Sequence, residues 1–317
     1  MIRTTALGAW VELMRLSNAP TVASNVLAGL AVGMLSRPAW AGVPWSTASL
    51  LIAGALLIYA AGMVLNDAFD ARIDARERPG RPIPSGRVSV QRARFVGLAM
   101  LGAGMGALFA AGIPTVEEGA LRGFSSRGTI PWALLLGASV LAYDALHLRT
   151  RAAVPLVAVC RACVVVVAAF AVVPDPNWAI LRWTAGGVLV FVLALTIAAR
   201  DEVRGLGTAA WRLAAILPLL ALAPLGNWVV EGVTPDSPEL WFGVAGTLLV
   251  AMAGAAAGTR AARAGAVGVP RAVGAWIGAI PAIDAATCYL LGRPALGTAC
   301  IGLWALAALL RPRIAAS

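Results

Sequence analysis

Residues 48–74 read ASLLIAGALLIYAAGMVLNDAFDARID, and this stretch decides the fold. From Ala48 to Leu65 no side chain is charged and nearly all are apolar. A helix of that length rises about 27 Å, close to the thickness of a bilayer's hydrocarbon core. With no proline to interrupt it, the run passes straight into Asn66, Asp67, Asp70 and Asp74. At about 100° per residue, these four fall within one arc of about 100°, over about 12 Å of axis. Like charges stacked on one helical face repel, so something positive has to offset them. Carboxylates beside an amide oxygen are a hard donor set of the kind that suits Mg²⁺, which binds through one or two carboxylates plus substrate phosphates. The plainer alternative is a solvated helix end whose acids pair with Arg72, Arg76 and Arg78.

The next residues are Glu77-Arg78-Pro79-Gly80-Arg81-Pro82-Ile83-Pro84-Ser85-Gly86-Arg87. Proline and glycine at this density stop a helix and hold a turn. Arg78, Arg81 and Arg87 project from that turn, and arginine suits bidentate contact with phosphate. Acids fit for a metal, next to arginines fit for phosphate, at the mouth of a membrane helix describe a site for a lipid diphosphate.

The rest of the 317-residue chain supports a membrane reading: 60% of it is hydrophobic and 13% charged, and its mean hydropathy is +0.83. A soluble domain would be about a quarter charged. Soluble enzymes, disordered chains and secreted disulfide scaffolds are thereby disfavoured. Apolar runs occupy about 17–36, 48–66, 93–113, 130–147, 152–173, 180–200, 209–230, 239–259, 272–291 and 295–311. The last two are separated only by Gly292-Arg293-Pro294 and read as a hairpin or a re-entrant pair. The fold class is therefore all-α, a polytopic bundle of nine or ten transmembrane helices, forming one domain over residues 1–317. The first run reads as a membrane helix rather than a signal peptide, because many similar runs follow it. Gly102-x-x-x-Gly106 and Gly254-x-x-x-Gly258 are candidate helix contacts.

Every one of the 25 basic residues is arginine, and the formal net charge is +10. In a chain this apolar the excess points to membrane topology and phosphate, not to nucleic acid. With the N-terminus in the cytoplasm, nineteen arginines fall in cytoplasmic segments and five on the opposite side. That bias places the acidic loop in the cytoplasm, in a cell (inner) membrane protein surrounded by lipid. Cys160, Cys163, Cys288 and Cys300 all lie in apolar runs and read as small buried thiols. With His147 the only histidine, histidine metal sites and Ser-His-Asp triads have little to build on.

The pattern N-D-x-x-D-x-x-x-D followed by R-P-I-P-S-G closely resembles the first signature of the UbiA superfamily of intramembrane prenyltransferases. The likeness extends to Arg15-Leu-Ser-Asn18-Ala-Pro20-Thr-Val22, to Tyr143 and to an acidic loop after the sixth run. It implies nine helices around a cavity open toward lipid, with two acidic motifs holding a prenyl diphosphate through Mg²⁺. Asn66, Asp70 and Asp74 would then be ligands of the metal, supported by Asp67, and Arg78, Arg81 and Arg87 would hold the diphosphate or close the loop. Tyr143 and Arg149 match the family's tyrosine and basic residue loosely; the other reading is an interfacial aromatic and a positive-inside anchor.

The second motif departs from the family. Two or more spaced aspartates are expected, and the chain offers Arg200-Asp201-Glu202-Val203-Arg204. Asp201 takes one acidic position and Arg204 stands near another. Either one Mg²⁺ is bound with Arg204 in place of a second, or the site is weakened, as in EboC-type members. Within the spans lie Arg161, about 13 Å deep on an α-helix, and Asp284. Arg161 either faces the diphosphate or pairs structurally with Asp284.

The resemblance implies Mg²⁺-dependent transfer of a prenyl group from a prenyl diphosphate to an unidentified lipophilic or aromatic acceptor, with no obligate protein partner evident. The rival readings are a non-catalytic lipid-binding or lipid-translocating protein on the same scaffold, a CDP-alcohol phosphotransferase and an ion-coupled transporter. The phosphotransferase lacks its expected aspartate pattern here. The transporter should carry more intramembrane charge.

Overall fold

The computed structural model describes residues 6–36, 45–113, 115–117, 120–122, 126–147, 149–199 and 208–311. Among them the regular elements are helical apart from one antiparallel hairpin, β1 (Thr115–Glu117) with β2 (Ala120–Arg122). The first helices are α1 (Ala6–Leu13), α2 (Ala19–Gly33), α3 (Trp45–Phe69), α4 (Ala71–Glu77), α5 (Val90–Ala111) and α6 (Ser126–Leu146). Then come α7 (Val154–Phe170), α8 (Trp178–Ala199), α9 (Thr208–Leu220) and α10 (Leu225–Val229). The chain closes with α11 (Pro238–Ala262), α12 (Val269–Leu290) and α13 (Pro294–Leu310).

Each apolar run of the sequence contains a helix. Six of them, α3, α5, α6, α8, α11 and α12, are long and apolar enough to cross a membrane, and α7 and α13 are shorter apolar helices. The run over 209–230 is not one helix: it is divided between α9 and α10 by a turn over 221–224. Gly292, at a φ of +67°, makes the corner between α12 and α13, a conformation that favours glycine. Leu98, Leu134, Phe242 and Leu249 are exposed on their helices, as expected of side chains facing lipid.

Helix α2 is the axis of the bundle. Residues 20–33 are all buried, and the helix packs against α3, α7, α12 and α13. A helix that is apolar nearly all round is one that is buried all round, and the polar Thr21, Ser24 and Asn25 are buried with it. Gly29 and Gly33 let it approach α7 at the backbones of Val165 and Ala169.

Close packing elsewhere also uses glycine, though not the pair Gly102 and Gly106. Both are exposed, and a Cβ added at either would touch nothing. The α3–α5 contact uses Gly54 and Gly104 instead: a Cβ on Gly54 would stand 2.9 Å from the Gly104 carbonyl oxygen, and one on Gly104 2.8 Å from that of Gly54. Gly258 packs on Trp276, as its sequence pattern suggests. Gly104→Val is expected to cost about 1–3 kcal/mol, the usual penalty for overpacking, whereas Gly102→Val should be neutral. Thermal melting in detergent distinguishes the two.

Candidate active site

The chain leaves the end of α3 without losing its helical register. The Asp70 N–H donates to the Asn66 carbonyl and the Asp74 N–H to the Asp70 carbonyl, each at 2.9 Å, so α3 passes into α4 with one bend at Asp70. The acidic residues therefore stay on neighbouring turns. Asp67 and Asp74 are buried and Asp70 is half-buried.

Their positive partners are not the arginines next in sequence. Arg72, Arg76 and Arg78 are exposed. Arg15, from the turn before α2, places Nη2 2.9 Å from Asp67 Oδ1. Arg81 places Nη1 2.7 Å from Asp74 Oδ2 and 3.5 Å from Asp67 Oδ1. Arg15 adopts a left-handed backbone conformation, φ 46° and ψ 47°, and its Nη1 lies 2.9 Å from Met63 Sδ. A non-glycine residue in this region carries backbone strain, commonly at functional sites.

The proline- and glycine-rich turn packs down on α1. Ile83 and Val88 share a buried cluster with Ala9 and Leu13. Arg87 locks the turn: its Nη1 donates to Glu12 Oε2 at 3.0 Å and its Nη2 to the Gly80 carbonyl at 2.8 Å. Ser89 then caps α5 by accepting from the Arg92 N–H.

Asp70 faces another helix end. His147, just past α6, has Nε2 2.9 Å from Asp70 Oδ1 and 3.2 Å from Asn66 Nδ2. Its ring stacks on Tyr143 with centroids 5.1 Å apart, and its Nδ1 lies 3.0 Å from the Tyr143 carbonyl oxygen. Burial pushes the Asp70 carboxyl above the usual carboxylate range, and His147 opposes that shift. The sequence reading gives His147 no part in the site. Arg149, the basic residue it singles out beside Tyr143, is exposed.

Below this mouth lies a cavity of about 230 Å³ between α2, α3, α6, α7 and α12. Its walls are largely apolar, with Val22, Ile58, Val140, Val157 and Val164 among them. Its lining includes Met63 and Tyr143, which touch Arg15 and His147 respectively. The acidic mouth and the apolar cavity thus adjoin.

Arg161 reaches the cavity wall from α7. Its Nη1 donates to Asn25 Oδ1 at 3.1 Å and its Nη2 to Thr21 Oγ1 at 2.9 Å. It also lies 5.8 Å from the centre of the Tyr59 ring, within cation–π range. Asp284 does not pair with it directly. Asp284 Oδ2 accepts from Ser24 Oγ at 2.6 Å and from Asn25 Nδ2 at 2.8 Å. Asn25 therefore bridges the two charges, accepting from Arg161 and donating to Asp284. One more acid, Asp144, lines the cavity; the sequence reading does not single it out. Asp201, Arg204 and the rest of the second acidic loop lie outside the described residues.

Among the described residues, no three His, Cys, Asp or Glu side chains converge so as to hold a metal ion by themselves. The donor set is one or two carboxylates at a time, with an amide nearby. That fits Mg²⁺ completed by substrate phosphates, and does not fit a metal caged by protein alone.

The family model for the UbiA prenyltransferase family matches residues 22–213. A digeranylgeranylglyceryl phosphate synthase of Ignicoccus hospitalis is 38% identical over 98 residues, which cover 31% of this chain and 30% of that protein. The match thus spans about a third of the relative's length. Among solved structures, one concerned with digeranylgeranylglyceryl phosphate synthase in membranes is similar with a TM-score of 0.58 at 14% identity, over 92% of this chain and 99% of that one. A UbiA homolog from Aeropyrum pernix is similar with a TM-score of 0.55 at 18% identity, over 84% and 96%. At these identities the structural likeness concerns the fold.

Proposed function

The chain belongs to the UbiA prenyltransferase family, and from that membership we propose that it is a Mg²⁺-dependent intramembrane prenyltransferase. It would move a prenyl group from a prenyl diphosphate to a lipophilic or aromatic acceptor. The observation that carries this reading is the junction of two environments. A charged cluster built by Asp67, Asp70 and Asp74 adjoins an apolar cavity, joined to it through Arg15 on Met63 and His147 on Tyr143. An amphiphile with a diphosphate head and a hydrocarbon tail matches both halves at once.

Asn66, Asp70 and Asp74, with Asp201 from the second loop, would hold Mg²⁺, and Asp67 would support them through Arg15. Bound there, Mg²⁺ would supply positive charge where the leaving diphosphate becomes more negative. The chain's own part is to position and to shield. Arg81 and Arg87 set the shape of the turn, and the exposed Arg78 and Arg149 are available to phosphate oxygens. Arg204 would contribute charge from the second loop. Tyr143 holds the rim between head and tail. Arg161, anchored through Asn25 and Asp284, fixes a positive charge in the cavity wall. The apolar walls keep water from the allylic cation. The arginine bias supports a cytoplasmic position for this mouth and the N-terminus in a multi-pass membrane protein.

The test is to reconstitute the chain in lipid nanodiscs with Mg²⁺ and prenyl diphosphates of graded length. Diphosphate release and the masses of the prenylated products are then measured. The expected result is Mg²⁺-dependent release for at least one chain length. Tight binding without release would instead assign a non-catalytic lipid-binding or lipid-translocating protein on this scaffold.

A further inference from the structure

Asp144 sits in the last turn of α6, two residues before its end, and is 3% exposed. It lines the cavity, and its Oδ2 is buried with no hydrogen-bond partner among the described residues. The charged groups that act on it are Asp70, Asp67 and Arg15. Two of those are acids, and among the described residues Asp144 forms no salt bridge. A buried polar oxygen left unpaired is costly, and ionisable groups in membrane helices are functional by default.

The remaining polar side chains of the cavity cannot take up a proton as a carboxylate can. Arg161 only donates. Tyr59 donates its hydroxyl to the Arg15 carbonyl at 3.1 Å. Asn18 is an amide, and Tyr143 and Cys160 are themselves protic. The geometry points to Asp144 as the general base that receives the proton of a hydroxyl-bearing acceptor during prenyl transfer.

This inference rests on the prenyltransferase reading. The bond from the allylic carbon to the diphosphate oxygen breaks, and its electron pair leaves with the diphosphate. A lone pair of the acceptor oxygen forms the new carbon–oxygen bond, and the hydroxyl proton passes to Asp144 Oδ2. Between apolar walls little water is at hand to take that proton, so without a base the addition reverses. Nucleophiles that arrive without a proton have no such need.

The test uses the full chain in nanodiscs with Mg²⁺ and farnesyl or geranylgeranyl diphosphate. Two small nucleophiles compete: methanol, which must lose a proton, and azide, which need not. The native chain should give both prenyl methyl ether and prenyl azide. In Asp144→Asn the ether-to-azide ratio should fall on the order of 10²-fold, the usual scale of general-base catalysis, while azide product and diphosphate binding stay near native. Asp144→Ser repeats the measurement should the first variant not assemble. An unchanged ratio would overturn the assignment. So would loss of diphosphate binding together with both products, which would move Asp144 to the metal and diphosphate site. If the native chain binds the diphosphates and forms neither product, prenyl transfer itself is rejected, and the base with it.

Discussion

Asp70→Asn should lower diphosphate release by on the order of 10³-fold, the scale at which a lost electrostatic contact to a transition state is felt, with the fold intact. Asparagine keeps the shape of the side chain and an acceptor oxygen for His147, 2.9 Å away. What it removes is the charge. Asp74→Asn should be as damaging to catalysis but is less clean, because it leaves Arg81 buried beside a neutral partner. Initial rates of diphosphate release, read next to a melting curve for each variant, separate the two effects. Full activity in both would refute the placement of the metal. The raised pKa of Asp70 gives a second readout in the native chain. Protons and metal compete for the same carboxylate oxygens, and burial moves that competition to higher pH than for an ordinary aspartate. The Mg²⁺ concentration giving half-maximal rate should therefore rise as the pH is lowered toward the raised pKa, and fall again above it.

Local patterns explain why Asp67, Asp70 and Asp74 were legible in the chain itself. Helical spacing puts them on one face, and the apolar run before them fixes where that face lies. Their partners were not legible, because these contacts link distant segments. Arg15 meets Asp67 across 52 positions, and His147 meets Asp70 across 77. Arg72, Arg76 and Arg78 were the nearer candidates by sequence, yet the helix directs them outward. A lone histidine carries no pattern, so His147 had no signal to find. Asp144 had a weak one: an acid within an apolar run, beside an aromatic, which the membrane cost of a carboxylate already marks. The link between Arg161 and Asp284 was partly legible as two intramembrane ionisable residues of opposite sign. The bridge through Asn25 was not, since an amide in α2 reads as one more small polar residue. Glycine patterns failed at Gly102 and Gly106 for a related reason. Spacing names a helical face but not the direction in which that face points, and on α5 the packed face is the one carrying Gly104.

Arg81→Met is expected to destabilise the chain by about 3–5 kcal/mol, as when one partner of a buried ion pair is removed. Arg81 is 7% exposed, and the carboxylates it serves, Asp74 and Asp67, are 5% and 2% exposed. Asp67 keeps Arg15 at 2.9 Å, so the uncompensated charge falls on Asp74. Methionine fills the stem's volume and supplies nothing to the carboxylate. Arg78→Ala, three residues away and exposed, should change stability by less than about 0.5 kcal/mol, as expected of a surface site. The double variant Arg81→Met/Asp74→Leu should recover most of the loss, because an apolar pair of similar size often replaces a buried ion pair at little cost. It should stay inactive, having lost a proposed metal ligand. Unfolding in detergent, with and without Mg²⁺, is the measurement. A ligand that binds only the folded chain raises its stability with concentration. Mg²⁺ should therefore stabilise Arg81→Met more than the native chain, since a cation at Asp74 replaces the missing guanidinium. It should do nothing of the kind for the double variant, which has no carboxylate there to receive it. If Arg81→Met melts like the native chain and gains nothing from Mg²⁺, Arg81 does not neutralise Asp74 in the folded protein.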